Sequence, residues 1–227
     1  MRRHQTSHPF ETTKKVSRNT LSKTVAEKSV GAWQPATSLR SRGQRKYLTR
    51  AERRSLALAA EQLEPKEALL VLLLLWSGAR ISEVLRLRPN DIDLSEGVVA
   101  FRTLKRRRPH VREVPLPREL LLRLDQIFDI TATQADLDRG RKHLFTCCRC
   151  TAWRLVKRLC TRANIFGPAA TLKGLRHGFG VGTLQAGVPL TLVQRWLGHS
   201  RLTTTAIYAQ VVGPEEKAFA QRFWELE

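Results

Sequence analysis

Apolar residues have no regular spacing before residue 48 and recur at helix or strand spacing after it. Residues 1–47 interleave Ser, Thr and Gln with basic side chains, the composition of a mobile basic arm. From Leu48 the pattern changes: Thr49 and Glu52 stand at capping-box spacing, and Ser55 to Leu63 continues the helix they open. Pro65 can start a second helix, whose run from Leu69 to Trp76 is apolar on every side and so predicts burial. Gly78 permits a break, and Ile81 to Leu87 reads as a short helix stopped at Pro89.

The period then shortens. Val98 to Arg102 and Val111 to Val114 read as strands flanking the loop Lys105-Arg106-Arg107-Arg108-Pro109, a β-hairpin with a cationic tip. Pro117 leads a helix with Leu120, Leu121, Leu124 and Ile127 on one face. Helices follow over Thr151 to Arg162, Leu172 to Gln185, and Pro189 to Gly198 with Leu190, Val193 and Leu197 aligned. Thr203 to Ala209 makes a brief helix capped by threonines, and Pro214 starts a final one with Phe219, Phe223 and Trp224 on its apolar face. The fold class expected is α+β, mainly α-helical with a small β-hairpin or sheet. Residues 1–47 form the arm and 48–227 one domain of ordinary size.

Charge changes the picture from a fold to a partner class. Across 227 residues, 40 Lys and Arg oppose 20 Asp and Glu, a net charge of +20, which attracts polyanions by phosphate contact and counterion release. Residues 1–50 alone hold twelve basic side chains against Glu11 and Glu27. DNA-binding, RNA-binding and ribosome-associated proteins all fit this balance. The longest apolar run, Ala68 to Trp76, is far short of the ~20 residues that span a bilayer, and no apolar stretch follows the first residues as a secretory signal would require. A soluble, cytoplasmic, nucleoid-associated chain is expected. Cys147 and Cys150 form a C-x-x-C, but only Cys160 and His143 stand near it and their spacing is irregular, so no metal site is assigned and the thiols, Cys148 included, are expected to be reduced.

Three segments carry chemistry: Gly78-Ala79-Arg80-Ile81-Ser82-Glu83-Val84, Lys173-Gly174-Leu175-Arg176-His177, and Leu197-Gly198-His199 with Tyr208 nine residues beyond the histidine. Together, in this order, they resemble the boxes of the tyrosine recombinase (phage integrase) family across roughly residues 48–226. The resemblance implies that family's catalytic-domain fold. It also implies site-specific cleavage and rejoining of double-stranded DNA through a covalent 3′-phosphotyrosine, without metal or nucleotide cofactor. Tyr208 would be the nucleophile. Arg80 and Arg176 would clamp the non-bridging oxygens with planar, permanently charged forks, and His199 would donate to the phosphate or assist proton transfer. Lys105 on the hairpin would protonate the leaving 5′-oxygen, because arginine does not readily give up a proton.

Glu83 would orient Arg80 from behind. Lys173 stands where the family more often has histidine; it can contact phosphate but not act as a general base in the usual way. His177 is either its substitute or, the favoured reading, a helix-packing residue. Arg102, Arg106, Arg107 and Arg108, with Arg45 and Lys46, are the expected DNA-backbone contacts. Residues 1–47 are too short and too polar to be the separate DNA-clamping domain that many members carry, so resemblance to the family's minimal type is expected. A homodimer or tetramer on DNA is expected, with the final helix docked either on its own core or on a neighbouring copy. Type IB topoisomerase-like relaxation and a non-catalytic DNA-binding regulator of a mobile element are the alternatives.

Overall fold

Thr49 opens the first helix as its spacing requires. In the computed structural model, which describes residues 40–41, 44–103 and 110–209, its hydroxyl accepts from the Glu52 amide at 3.2 Å. The Glu52 carboxylate accepts in turn from the Thr49 amide at 2.8 Å. This reciprocal cap starts α1, Arg50–Ala60. Thr49→Ala should lower stability by about 1 kcal/mol, read from the urea unfolding midpoint. Ahead of α1, the two-residue strands β1 (Arg40–Ser41) and β2 (Gln44–Arg45) pair antiparallel.

Helix α2, Pro65–Ser77, is the centre of the domain, packed against α1, α4, α6 and α7. Every residue from Ala68 to Leu75 is buried, and each buried leucine contributes about 2 kcal/mol relative to exposure. The expectation of burial fails at Trp76, which is 43% exposed. Leu75 and Ser77 on either side of it stay buried, so the indole alone faces outward, with the Arg53 guanidinium 5.5 Å from the ring centre. Gly78 ends α2 with φ +60°, a left-handed cap that favours glycine. Helix α3 is shorter than its sequence pattern predicts, covering Ile81–Val84.

The hairpin forms as expected, from β4 (Val98–Thr103) and β5 (His110–Pro115) in antiparallel register from Val98 opposite Pro115 to Thr103 opposite His110. A third strand, β3 (Ile92–Asp93), pairs with β4 to complete a small antiparallel sheet. Two residues are too few to show a period, which is why the pattern does not reveal it. Val99, Phe101 and Thr103 of β4 and Arg112 and Val114 of β5 point inward.

Helix α4 (Arg118–Phe128) buries Leu120, Leu121 and Leu124 and leaves Ile127 at the rim. It is followed by α5 (Ile130–Gln134), another element without a sequence signal, and by α6 (Arg149–Arg162). Cys148 caps α6, its sulfur accepting from the Thr151 amide at 3.5 Å. All four cysteines are free thiols, and the described residues contain no group of three or more potential metal ligands. No helix among them is long and apolar enough to cross a membrane.

Helices α7 (Leu172–Gln185), α8 (Leu190–Leu197) and α9 (Thr203–Ala209) form the last layer. Leu175 of α7 belongs to the main core. Phe179, Val181 and Leu184 of the same helix join Val193, Leu197 and Tyr208 in a second, smaller core. The final helix with Phe219, Phe223 and Trp224, and the hairpin tip Lys105-Arg106-Arg107-Arg108, lie outside the described residues.

Candidate active site

The three sequence boxes meet where α2, α7, α8 and α9 end or cross. Arg80 sits at the amino end of α3, and its side chain is 29% exposed. Its Nη1 donates to Glu83 Oε1 at 2.9 Å, and its backbone amide to Glu83 Oε2, also at 2.9 Å. Glu83 is buried and takes a third donor, Arg112 Nη2, at 2.6 Å. Burial alone would raise this carboxyl, but Arg112 and Arg80 together hold it below the usual carboxylate range. The pairing of Arg80 with Glu83 is therefore half of a buried relay that runs into the sheet.

Arg176 projects from α7 into the gap between α2 and α8. Nη1 donates to the Gly78 carbonyl at 2.6 Å and Nη2 to the Leu197 carbonyl. Both acceptors belong to helix termini whose last carbonyls have no helical partner, so the arginine satisfies them and is fixed in return. Burial, with the charge of Arg80 beside it, pushes the Arg176 pKa down to about 10, leaving it cationic at neutral pH.

His199 follows Gly198, the left-handed cap of α8 at φ +64°. Its Nδ1 shares a 2.9 Å hydrogen bond with the Thr205 hydroxyl in α9, and its ring stacks on Tyr208 with centroids 6.2 Å apart. Tyr208 is only 1% exposed. Its hydroxyl shares a 2.9 Å hydrogen bond with His177 Nδ1, and its ring lies against Gly180, where an added Cβ would come within 2.8 Å. Burial raises the phenol pKa, while Arg176 and Arg80 are near enough to pull it back. His177 is thus more than a packing residue: it is the partner of the Tyr208 hydroxyl, and its Nε2 is buried with no hydrogen-bond partner among the described residues. That contact spans 31 positions and has no local signal.

The remaining expected residues scatter. Lys173 is exposed on α7, one turn before His177. Arg102 is outward on β4 and paired with Asp91 at 3.0 Å. Arg45 is engaged by Glu52 at 2.5 Å and by the Tyr47 carbonyl at 2.8 Å, and Lys46 is half-buried. Lys105, Arg106, Arg107 and Arg108 fall outside the described residues. Arg112 stands outside the three boxes and is not among the residues they point to. Its signal was an arginine at an inward position of an alternating strand, where a side chain of that charge needs buried partners.

Burial leaves both imidazoles neutral. It is the main cause that pushes His177 down to about 4, aided by Lys173 and Arg176, and His199 down to about 3, aided by Arg176 and Arg80. Their folded values lie below the unfolded value of 6.5, so below that pH only the unfolded chain gains protons. The stability they contribute is present above pH 6.5 and is lost as pH falls through about 4 and about 3. Between about pH 7.5 and about pH 5.5 the two histidines should remove roughly 2–3 kcal/mol, a fall of about 5–10 °C in the melting midpoint. A midpoint unchanged across that window would contradict neutral burial.

The fold agrees with the comparisons. Residues 46–213 match the phage integrase family. Tyrosine recombinase XerA of Thermococcus kodakarensis is 33% identical over 170 residues, 73% of this chain and 58% of that protein. Tyrosine recombinase XerD of Haemophilus ducreyi is 27% identical over 169 residues, 72% of this chain and 56% of that protein. The chain therefore spans less than two thirds of the length of these relatives. Among solved structures, XerA recombinase superposes with a TM-score of 0.62 at 24% identity, covering 76% of this chain and 64% of that one. The catalytic domain of bacteriophage HP1 integrase gives 0.57 at 24% identity, covering 78% of this chain and 94% of that one. XerH bound to its difH substrate gives 0.61 at 21% identity, covering 72% of this chain and 50% of that one. By its boxes, its fold and its match over residues 46–213, this chain belongs to the phage integrase family.

Proposed function

We propose that this chain is a site-specific DNA recombinase that breaks and rejoins strands through a covalent 3′-phosphotyrosine. The observation that carries the reading is the convergence of Arg80, Arg176, His199 and Tyr208 from four separate segments, with His177 on the phenol and Glu83 behind Arg80. In the forward step the Tyr208 oxygen attacks phosphorus and the bond from phosphorus to the 5′-oxygen breaks. The phenolic proton passes to the neutral imidazole of His199, and the leaving 5′-oxygen takes a proton from Lys105. The reverse attack by a 5′-hydroxyl restores the diester and frees the tyrosine, so the bond energy is conserved and no nucleotide is consumed.

Arg80 and Arg176 neutralise the charge that grows on the non-bridging oxygens, and Lys173, exposed on α7 three residues before Arg176, adds a further cation. Arg102, Arg106, Arg107, Arg108, Arg45 and Lys46, with the rest of residues 1–47, contact the DNA backbone; Arg102 and Arg45 must first exchange Asp91 and Glu52 for phosphate. Copies associate on DNA, and the segment bearing Phe219, Phe223 and Trp224 contributes to that association.

Because Tyr208 is buried in the free chain, it must leave His177 before it can meet a phosphate; a non-catalytic DNA binder could keep it there. One experiment separates the two. The protein is incubated without magnesium on a nicked suicide duplex carrying its recombination site, and a denaturation-resistant protein–DNA adduct is sought. An adduct at Tyr208 supports the recombinase. Specific binding to that site without an adduct supports the binder.

A further inference from the structure

Arg112 is as buried as any charged group in the domain, its side chain 0% exposed, so it cannot touch DNA in this arrangement. All three arms of its guanidinium are occupied. Nη2 donates to Glu83 Oε2 at 2.6 Å, Nε to the Trp196 carbonyl at 2.6 Å, and Nη1 to the Thr103 hydroxyl at 3.2 Å. Its charge also lies over the Phe101 ring, 5.4 Å from the centre. The three acceptors come from three different parts of the site. Glu83 holds the Nη1 of Arg80. Trp196 is in the last turn of α8, three residues before His199. Thr103 is the last residue of β4 before the segment that carries Lys105.

Arg112 and Arg176 divide the end of α8 between them. The Trp196 carbonyl accepts from Arg112 and the Leu197 carbonyl from Arg176, so the negative end of the helix is met by two guanidinium groups. Gly198 packs directly on Arg112: an added Cβ there would lie 3.1 Å from Arg112 Cδ. The left-handed turn that presents His199 is therefore built against this arginine.

We infer that Arg112 is a positioning residue for strand cleavage, which fixes the fork of Arg80 through Glu83 and the His199 turn through the Trp196 carbonyl. The inference rests on the reading that Arg80 neutralises the scissile phosphate. A lysine could keep a charge against Glu83 but has no planar fork to serve three acceptors in three directions. A glutamine keeps neither charge nor fork.

The test compares adduct formation by wild type, Arg112→Gln and Arg112→Lys on two suicide duplexes. One carries the ordinary phosphodiester and the other an uncharged methylphosphonate at the cleavage position. On the diester, Arg112→Gln should lose about 100-fold in the single-turnover rate and Arg112→Lys about 10-fold, with DNA affinity held within about twofold. On the methylphosphonate, which has less charge to neutralise, the gap between wild type and each variant should narrow to less than about fivefold. Damage to the fold alone would slow both substrates equally.

A cooperative thermal transition shows whether Arg112→Gln folds; if it does not, Arg112→Lys decides by the same ratio. Equal losses on the two substrates, or no loss on the diester, overturn the inference. A wild-type chain that forms no adduct overturns the recombinase reading beneath it, and wild-type cleavage with an unimpaired Arg112→Gln overturns this inference alone.

Discussion

Tyr208→Phe is expected to yield no covalent adduct on a nicked duplex, a loss of at least about 10⁴-fold, because the phenyl ring offers no oxygen to phosphorus. The same change also tests the folded state. The Tyr208 hydroxyl is the hydrogen-bond partner of His177 Nδ1, and His177 Nε2 already has none among the described residues. Removing the hydroxyl leaves a buried imidazole with no partner there, at a cost of about 1–3 kcal/mol. Tyr208→Phe should therefore melt several degrees lower yet remain folded and bind DNA. Tyr47→Phe is the control: Tyr47 packs at the edge of the second core, outside the boxes, and its loss should leave the adduct intact. An adduct that survives Tyr208→Phe would move the nucleophile elsewhere.

Gly78→Ala is expected to lower stability by about 3–4 kcal/mol and to slow cleavage more than it weakens DNA binding. Two penalties add. At φ +60° an alanine pays about 1–2 kcal/mol for its left-handed backbone. Its methyl would also lie 2.4 Å from Phe179 Cδ1 and 3.0 Å from Leu197 Cδ2, both buried, for about 1–3 kcal/mol of overpacking. The backbone that must yield is the one whose carbonyl receives Arg176 Nη1, two residues before Arg80. Both arginines would shift together. Urea unfolding gives the first effect and single-turnover cleavage against DNA affinity the second; equal wild-type values in both would contradict the close contact at Gly78.

What could be read from the chain followed the range of the forces involved. Helix α7 runs from Leu172 to Gln185 as its pattern predicts, because helical spacing is a local signal. The three boxes were legible for a different reason, since order and spacing identify a family without any geometry. The run from Leu69 to Trp76 predicts burial throughout, yet Trp76 is half-exposed, because an apolar stretch does not show which single side chain of a buried helix meets the surface. Long-range pairings were the blind spot. Nothing near residue 177 announces Tyr208, and nothing near residue 112 announces Glu83 or the end of α8. Strand β3 and helix α5 were invisible because two and five residues are too short to display a period. The cationic tip and the apolar terminal helix, both legible as patterns, lie outside the described residues.

The slot that receives Tyr208 between Gly180 and His177 has a consequence for populations. Drawing the phenol out of it forfeits about 2 kcal/mol of ring burial and about 1 kcal/mol of hydrogen bond. Without DNA, a conformer with the hydroxyl free would therefore be held by roughly one molecule in a hundred. A duplex that requires this conformer binds about a hundredfold more weakly than its contacts alone would allow. Duplexes that touch only the basic surface need not meet that demand, and they leave the tyrosine where it is. For the reaction proposed above, the slot is then a threshold as well as a packing contact, and strand breakage would be confined to DNA that binds tightly enough to cross it.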